Sequence, residues 1–255
     1  HAKMLLFVRR VGTKLRRYAH LGTGNYHRKN SLTYTDYSLL TADKIVCADV
    51  HKVFQQITGM GKKIHPKELI HAPFNLKKSI LKMIQTEKKA AAQGKPARIL
   101  AKMNALTDPD VIKALYEASQ AGVTIELIIR GMCSLYPGRE GMSETISVVS
   151  IIGQFLEHSR IFWFANGGAP EAYIGSADWM SRNLDRRVEA VTPVEEPELR
   201  LKLERLLELY LRDNRGAWDM QSDGSFVQRR PNQGEDERNS QLQLIEQWSR
   251  GIELS

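Results

Sequence analysis

Only two cysteines, Cys47 and Cys133, occur in 255 residues, and they form neither a CxxC pair nor a disulfide framework. Such a chain suits a reducing cytosol. Metal-ligand spacing is missing too: with no HExxH and no paired CxxC, no intrinsic zinc site is expected. No apolar run approaches the roughly 20 residues of a membrane span, and the first residues lack the pattern of a signal peptide. The cluster Gly59-Met60-Gly61-Lys62-Lys63 has Gln56 where a P-loop needs its first glycine, and no Ser or Thr after the lysine. It reads as a turn.

What is present in excess is positive charge. The 37 Lys and Arg against 29 Asp and Glu leave a net charge of +8. That balance favours a polyanionic partner without choosing among nucleic acid, polyphosphate and an acidic membrane surface. A merely solvated basic surface is equally consistent with it.

The hydrophobic pattern gives an alternating order of elements. Met4 to Arg9 and Leu15 to Leu21 read as strands joined by a basic turn at Gly12, and Leu39 to Ile57 has helical spacing. Glu68 to Pro73 reads as a short strand, and Leu76 to Gln93 as an amphipathic helix stopped by Gly94 and Pro96. A strand from Arg98 to Met103, a helix from Pro109 to Ala121 and a strand from Thr124 to Arg130 follow, with Gly122 closing the helix. Glu144 to Gly153 reads as helical. Strands are expected at His158 to Phe164, Ala172 to Ser176 and Arg187 to Pro193, with a charged helix from Glu196 to Asp213. Asp219 to Arg238 reads as loop or disorder and Asn239 to Ile252 as a last helix. Helices alternating with buried strands predict an α/β layered fold. The expected units are residues 1–70, the tail of one domain; 71–215, a complete similar domain; and 216–255, a polar loop with a C-terminal helix. The strand-like opening at His1 reads as the interior of a longer chain.

Two stretches repeat each other. His1-Ala2-Lys3 runs on to Gly22-Thr23-Gly24-Asn25, and His158-Ser159-Arg160 runs on to Gly175-Ser176-Ala177-Asp178. On a strand, residues two apart share a face, so each histidine has a cation beside it. The small residues of each turn let a backbone approach an anion, while Ser176 and Asp178, or Thr23 and Asn25, can bond that anion or orient a donor. Arg182, Arg186 and Arg187 add forks able to clamp phosphate oxygens. Within the second copy, Glu189 can accept the proton on the far imidazole nitrogen of His158, fixing the tautomer of a nucleophilic or acid-base histidine. Arg28 and Asp36 stand roughly where Arg182 and Glu189 stand. His20, two residues before Gly22, either faces the same pocket or serves its strand. His27, His51, His65 and His71 have no matching company and read as surface residues. Two such half-sites predict one phosphoryl-transfer centre at a pseudo-twofold interface.

The paired His-x-[Lys/Arg] and Gly-[Ser/Thr]-x-[Asn/Asp] elements resemble the phospholipase D superfamily. Four longer strings are Tyr18-Ala-His-Leu-Gly-Thr-Gly-Asn25, Tyr34-Thr-Asp-Tyr-Ser-Leu-Leu-Thr-Ala-Asp43, Arg130-Gly-Met-Cys-Ser-Leu135 and Ser176-Ala-Asp-Trp-Met-Ser-Arg-Asn183. They resemble one branch, the long, phosphohistidine-forming polyphosphate kinases of bacteria, over residues 1 to about 215. The resemblance implies two phospholipase D-like domains, each a mixed sheet flanked by helices, the first only partly present. It implies that His1 is the phosphorylated residue and that His158, across the interface, contacts nucleotide and acts as acid or base. Tyr34 and Arg130 then contact ATP, and Lys102 and Asn104 line the same pocket. Phosphate-gripping arginines and magnesium-associated positions of the family lie outside this chain, so Mg²⁺ is expected to arrive with ATP. The implied partners are ATP or ADP and inorganic polyphosphate, with no specific nucleic acid. The implied setting is a cytoplasmic homo-oligomer, with peripheral membrane contact left open. Two other readings stand at this point: a phosphodiesterase or nuclease, and a polyanion-binding fragment inactive alone.

Overall fold

The computed structural model describes residues 1–59 and 66–251. Strands β1 (Lys3–Val11) and β2 (Lys14–Gly22) form a long antiparallel ribbon, turned at Gly12, whose φ of +61° suits glycine. A single helical turn, α1 (Arg28–Ser31), leads to two short strands, β3 (Tyr34–Thr35) and β4 (Ser38–Thr41). β4 joins β2 to complete a three-stranded sheet. Helix α2 (Lys44–Ile57) packs on β2, burying Ala19, Leu21, Val46, Cys47, Val50 and Val53 in a small core.

The remaining elements build a larger layered unit. In chain order they are β5 (Ile70–Ala72), α3 (Leu76–Ala92), β6 (Arg98–Met103), α4 (Pro109–Gln120), β7 (Thr124–Ile129) and β8 (Ile146–Ile151). Then come β9 (Leu156–Glu157), β10 (Ile161–Phe164), β11 (Glu171–Gly175), α5 (Ser181–Asp185), β12 (Glu189–Pro193), α6 (Pro197–Leu211), β13 (Ala217–Met220), β14 (Phe226–Gln228) and α7 (Ser240–Ser249). Nine strands lie side by side in the order β14-β13-β8-β7-β6-β10-β11-β12-β5. β6, β7 and β8 are parallel, and the others pair antiparallel, so the sheet is mixed. The buried side chains of α3 and α4 cover one face, and those of α6 and α7 the other. The result is the mixed sheet flanked by helices expected from the sequence. A parallel pair, β3 with β9, ties the first part of the chain to the second.

Four elements differ from their expected form. Glu144 to Gly153 is not a helix: Ile146–Ile151 is strand β8, buried between β7 and β13, where β-branched side chains pack well. Leu39 and Leu40 belong to β4, and helix α2 starts only after Asp43, whose carboxylate accepts from Ile45 N and Val46 N at 2.8 Å each. Asp219 to Arg238 contains β14 and the end of β13, held by the Arg229 fork on Asp219 and by Arg229 Nη1 donating to the Leu211 and Asp213 carbonyls. His71 is buried in β5 rather than on the surface, its ring 4.8 Å from that of Phe74. His65 and the stretch Met60 to Lys63 lie outside the described residues.

Candidate active site

The repeat in the sequence is also a repeat in space. Lys3 pairs with Gly22 across the β1–β2 ribbon, and Arg160 sits at the mouth of β10, its carbonyl accepting from Gly175 N. Each histidine therefore stands just before an antiparallel strand pair that ends in the Gly-[Ser/Thr] turn. Glycine is needed at both turns for close approach. A Cβ on Gly24 would lie 2.5 Å from the Asp36 carboxylate, and one on Gly175 would lie 2.5 Å from the Ala190 carbonyl.

The two halves then exchange carboxylates. His1 Nδ1 lies 2.8 and 2.9 Å from the oxygens of Glu189, a β12 residue of the larger unit. His158 Nδ1 lies 2.8 and 3.0 Å from the oxygens of Asp36, between β3 and β4. Each carboxylate is oriented by the hydroxyl of its own half: Thr23 Oγ1 donates to Asp36 at 2.6 Å, and Ser176 Oγ donates to Glu189. Asn183 Nδ2 adds a bond to Glu189 at 2.8 Å. Glu189 thus serves the histidine of the other half, not His158 in its own. The Ser/Thr hydroxyls orient carboxylates. A carboxylate at Nδ1 puts the proton there and leaves the lone pair of a neutral ring on Nε2.

A cation lies against the ring in both halves. Lys3 Nζ is 3.0 Å from His1 Nδ1 and 3.1 Å from Nε2, and donates to the His1 carbonyl at 2.9 Å. Arg160 Nη1 is 3.0 Å from His158 Nε2 and donates to the His158 carbonyl at 2.7 Å. Arg160 also forks onto Asp178 (3.2 and 3.1 Å) and reaches the Thr23 carbonyl at 3.3 Å. Asp178 therefore orients a donor, and its Oδ1 also accepts from Asn104 N at 2.7 Å. Burial, with Arg160 next, pushes the Lys3 ammonium down to about 8. Burial also lowers His158, against the raising effect of Asp36 and with Arg160 and Lys3 adding to the fall, which favours its neutral form. Burial raises Glu189.

The other expected residues fall into three groups. Tyr34 and Arg130 belong to the centre: the Tyr34 ring lies 5.0 Å from that of His158, and Arg130 Nε donates to Asn104 Oδ1 at 2.5 Å. Asn104 Nδ2 donates to the His158 carbonyl at 3.4 Å. Tyr34 and Arg130 also line a cleft of about 390 Å³ with Gln154, Phe155 and Glu157. His20 and Asn25 stand beside the centre, lining a neighbouring cleft of about 220 Å³ with Tyr34 and Asp36; His20 Nδ1 bonds the Tyr26 hydroxyl at 2.7 Å. Arg187, just before β12, donates its backbone N–H to the Arg182 carbonyl at 3.1 Å.

Two expectations need correcting. Lys102 does not line a pocket: it is wholly buried, 3.0 Å from Glu157 and 2.7 Å from the Ser159 hydroxyl, because a β6 side chain on this face points into packed protein. Arg182 is exposed on α5 and Arg28 on α1, turned outward by the short helices that carry them. Unforeseen was the network behind His158. Glu157 accepts from Thr35 Oγ1 at 2.7 Å and from Gln241 Nε2 at 2.7 Å, so α7 reaches the floor of the site. Nothing local in the sequence signals that contact. Among the described residues, no group of three or more His, Cys, Asp or Glu side chains is arranged to hold a metal ion.

Comparison with known proteins gives consistent matches. The family model described as polyphosphate kinase C-terminal domain 1 matches residues 1–63, and that described as polyphosphate kinase C-terminal domain 2 matches residues 69–241. A polyphosphate kinase of Parasynechococcus marenigrum is 63% identical over the whole chain, which spans 36% of that relative. One from Pseudomonas aeruginosa is 57% identical over 96% of the chain and 36% of its own length. The crystal structure of polyphosphate kinase from Porphyromonas gingivalis superimposes with a TM-score of 0.90 at 36% identity, covering 98% of this chain and 38% of that one. The chain thus spans little more than a third of the relatives it matches.

Proposed function

Given that the chain belongs to the family of polyphosphate kinase C-terminal domains, we propose that its two histidines share one reversible transfer of the ATP terminal phosphate to inorganic polyphosphate. The observation that carries this reading is the crosswise pairing of His1 with Glu189 and His158 with Asp36, which commits both rings to one centre.

Nε2 of neutral His1 attacks the γ-phosphorus. An N–P bond forms, the P–O bond to the β-phosphate breaks, and ADP leaves with the bonding pair. The terminal oxygen of a polyphosphate chain then attacks the same phosphorus and the N–P bond breaks, restoring the ring. Glu189 keeps the proton on Nδ1 throughout. Lys3, Arg130 and Arg160 face the charge that spreads over the equatorial oxygens. His158, neutral by burial, accepts a proton from the incoming phosphate or returns one to the departing oxygen. Tyr34 and Arg130 bound the cleft of about 390 Å³ beside His158, where a nucleotide would sit.

Mg²⁺ belongs to this proposal as the companion of ATP. The carboxylates nearest the centre are already engaged by imidazole, guanidinium and hydroxyl groups, so these residues do not form an ion site of their own. No step above runs through the ion. A cytoplasmic homo-oligomer completes the proposal on family grounds. Among the described residues, no helix is long and apolar enough to cross a membrane.

The test uses a chimera in which this chain replaces the matched segment of the Pseudomonas aeruginosa relative. Terminally labelled ATP should leave an acid-labile, alkali-stable label on His1 and build polyphosphate. Cleavage of a phosphodiester with no labelled histidine would sink the proposal in favour of a hydrolase.

A further inference from the structure

The first 35 residues contain no Asp or Glu but eight cations: Lys3, Arg9, Arg10, Lys14, Arg16, Arg17, Arg28 and Lys29. That equals the net charge of the whole protein, so the rest of the chain is balanced. Five of the eight, Arg9 to Arg17, sit on the outer half of the β1–β2 ribbon. Their register is costly. Arg9 stands directly opposite Arg16, and like charges facing each other across an antiparallel pair destabilise it.

At the outer end of the ribbon, Arg16, Arg17 and Tyr18 of β2 and Lys44 of α2 line a cleft of about 430 Å³. Arg17 continues the face on which Ala19 and Leu21 pack against α2, so its guanidinium is drawn inward rather than released to solvent. Its Nε is shielded from solvent and has no hydrogen-bond partner among the described residues. Asp43, at the start of α2, accepts from Ile45 N and Val46 N. A shielded donor without an acceptor is unfavourable by roughly 1–3 kcal/mol, and it lies here in a cleft with two further cations. An anion supplies the missing acceptor.

We propose that this cleft and the adjoining ribbon form a second polyphosphate site, separate from the histidine centre, that holds a distant part of the chain being extended or shortened. The choice of polyphosphate rests on the function proposed above. β1 begins at the centre, with Lys3, and reaches Arg9 six residues later, about 20 Å away at roughly 3.3 Å per residue. A linear anion engaged at the centre can therefore follow the ribbon. A single phosphate cannot reach from Lys3 at the centre to the Arg9–Arg16 pair, whereas a chain can neutralise both at once. Guanidinium forks suit the charged non-bridging oxygens along its length.

The test is binding of long-chain inorganic polyphosphate, tripolyphosphate and orthophosphate to the protein and to the variant R16Q/R17Q/K44Q, with circular dichroism to verify folding. Long-chain polyphosphate should bind the variant about tenfold or more weakly, with a shallower salt dependence, because three anion contacts are lost. In the unsubstituted protein it should also protect the β1–β2 amides from hydrogen exchange. Unchanged long-chain affinity in the folded variant overturns the proposal, as does equal occupancy by orthophosphate or preference for a single-stranded oligonucleotide of matched charge. The two readings fail separately. Absence of phosphotransfer with the ribbon effect intact defeats only the function proposed above; transfer with unchanged affinity in R16Q/R17Q/K44Q defeats only the second site.

Discussion

The His1 and His158 half-sites share one plan and differ in how tightly it is locked. Both place a carboxylate of the other half on Nδ1 and a cation two residues along the chain against the ring. The cation beside His1 is a lysine whose ammonium has been pushed down to about 8. The His158 side chain is 9% exposed, with the tilted Tyr34 ring 5.0 Å away, and its cation is an arginine pinned by Asp178. A ring beside a yielding cation suits a group that forms and breaks a covalent bond. A buried ring beside a permanent, forked cation suits a group that moves a proton and holds position.

The comparison is broken most severely by removing the ring assigned to covalent chemistry. In the chimera, His1→Ala should abolish both labelling and polyphosphate synthesis. His158→Ala should stop turnover, and wild-type turnover in that variant would contradict the asymmetry of roles. Next come the exchanged carboxylates. Glu189→Gln and Asp36→Asn preserve shape but no longer favour the Nδ1–H tautomer, so each should lower kcat by about 10²–10⁴-fold with a smaller change in KM. If only one of the two matters, the halves do not share a plan after all.

A third test probes the packed floor found only beneath His158. Lys102→Met strands Glu157 in a buried environment and should destabilise the protein by about 3–5 kcal/mol in denaturant titrations. The double change Lys102→Met, Glu157→Leu should recover part of that loss. The smallest effect concerns pH. Lys3 is cationic below about 8 and neutral above it, so transfer should decline as pH rises through that value. Lys3→Arg, with a charge that does not titrate in this range, should remove the decline in a pH–rate profile; a decline that persists would assign it to another group.

Periodicity alone was enough to find β6, α3, α4 and α6, because each buries one regular face against the sheet. It misled at β8, where Ile146, Val148, Val149 and Ile151 are buried from both sides and lose the alternation that marks a half-exposed strand. The recurrence of His-x-[Lys/Arg] and Gly-[Ser/Thr] located both histidines, both cations and both hydroxyls. It pointed to Glu189 and Asp36 as counterparts but paired Glu189 with the wrong ring, since a carboxylate's partner across 188 residues depends on how two sheets meet. Arg182 shows the opposite error: it lies close to the site in the chain, yet its helical turn faces outward.

What the sequence determined by itself was the chemistry available: which side chains exist, that they come in two matching sets, and which of them share a strand face. Those are consequences of residue type and of a two-residue repeat. Only the tertiary structure decided that each imidazole takes its carboxylate from the opposite half, that Lys102 is sealed in an ion pair, and that Arg17 is shielded without an acceptor. Burial and hydrogen-bond partners are set by elements distant in the chain, and no local pattern encodes them.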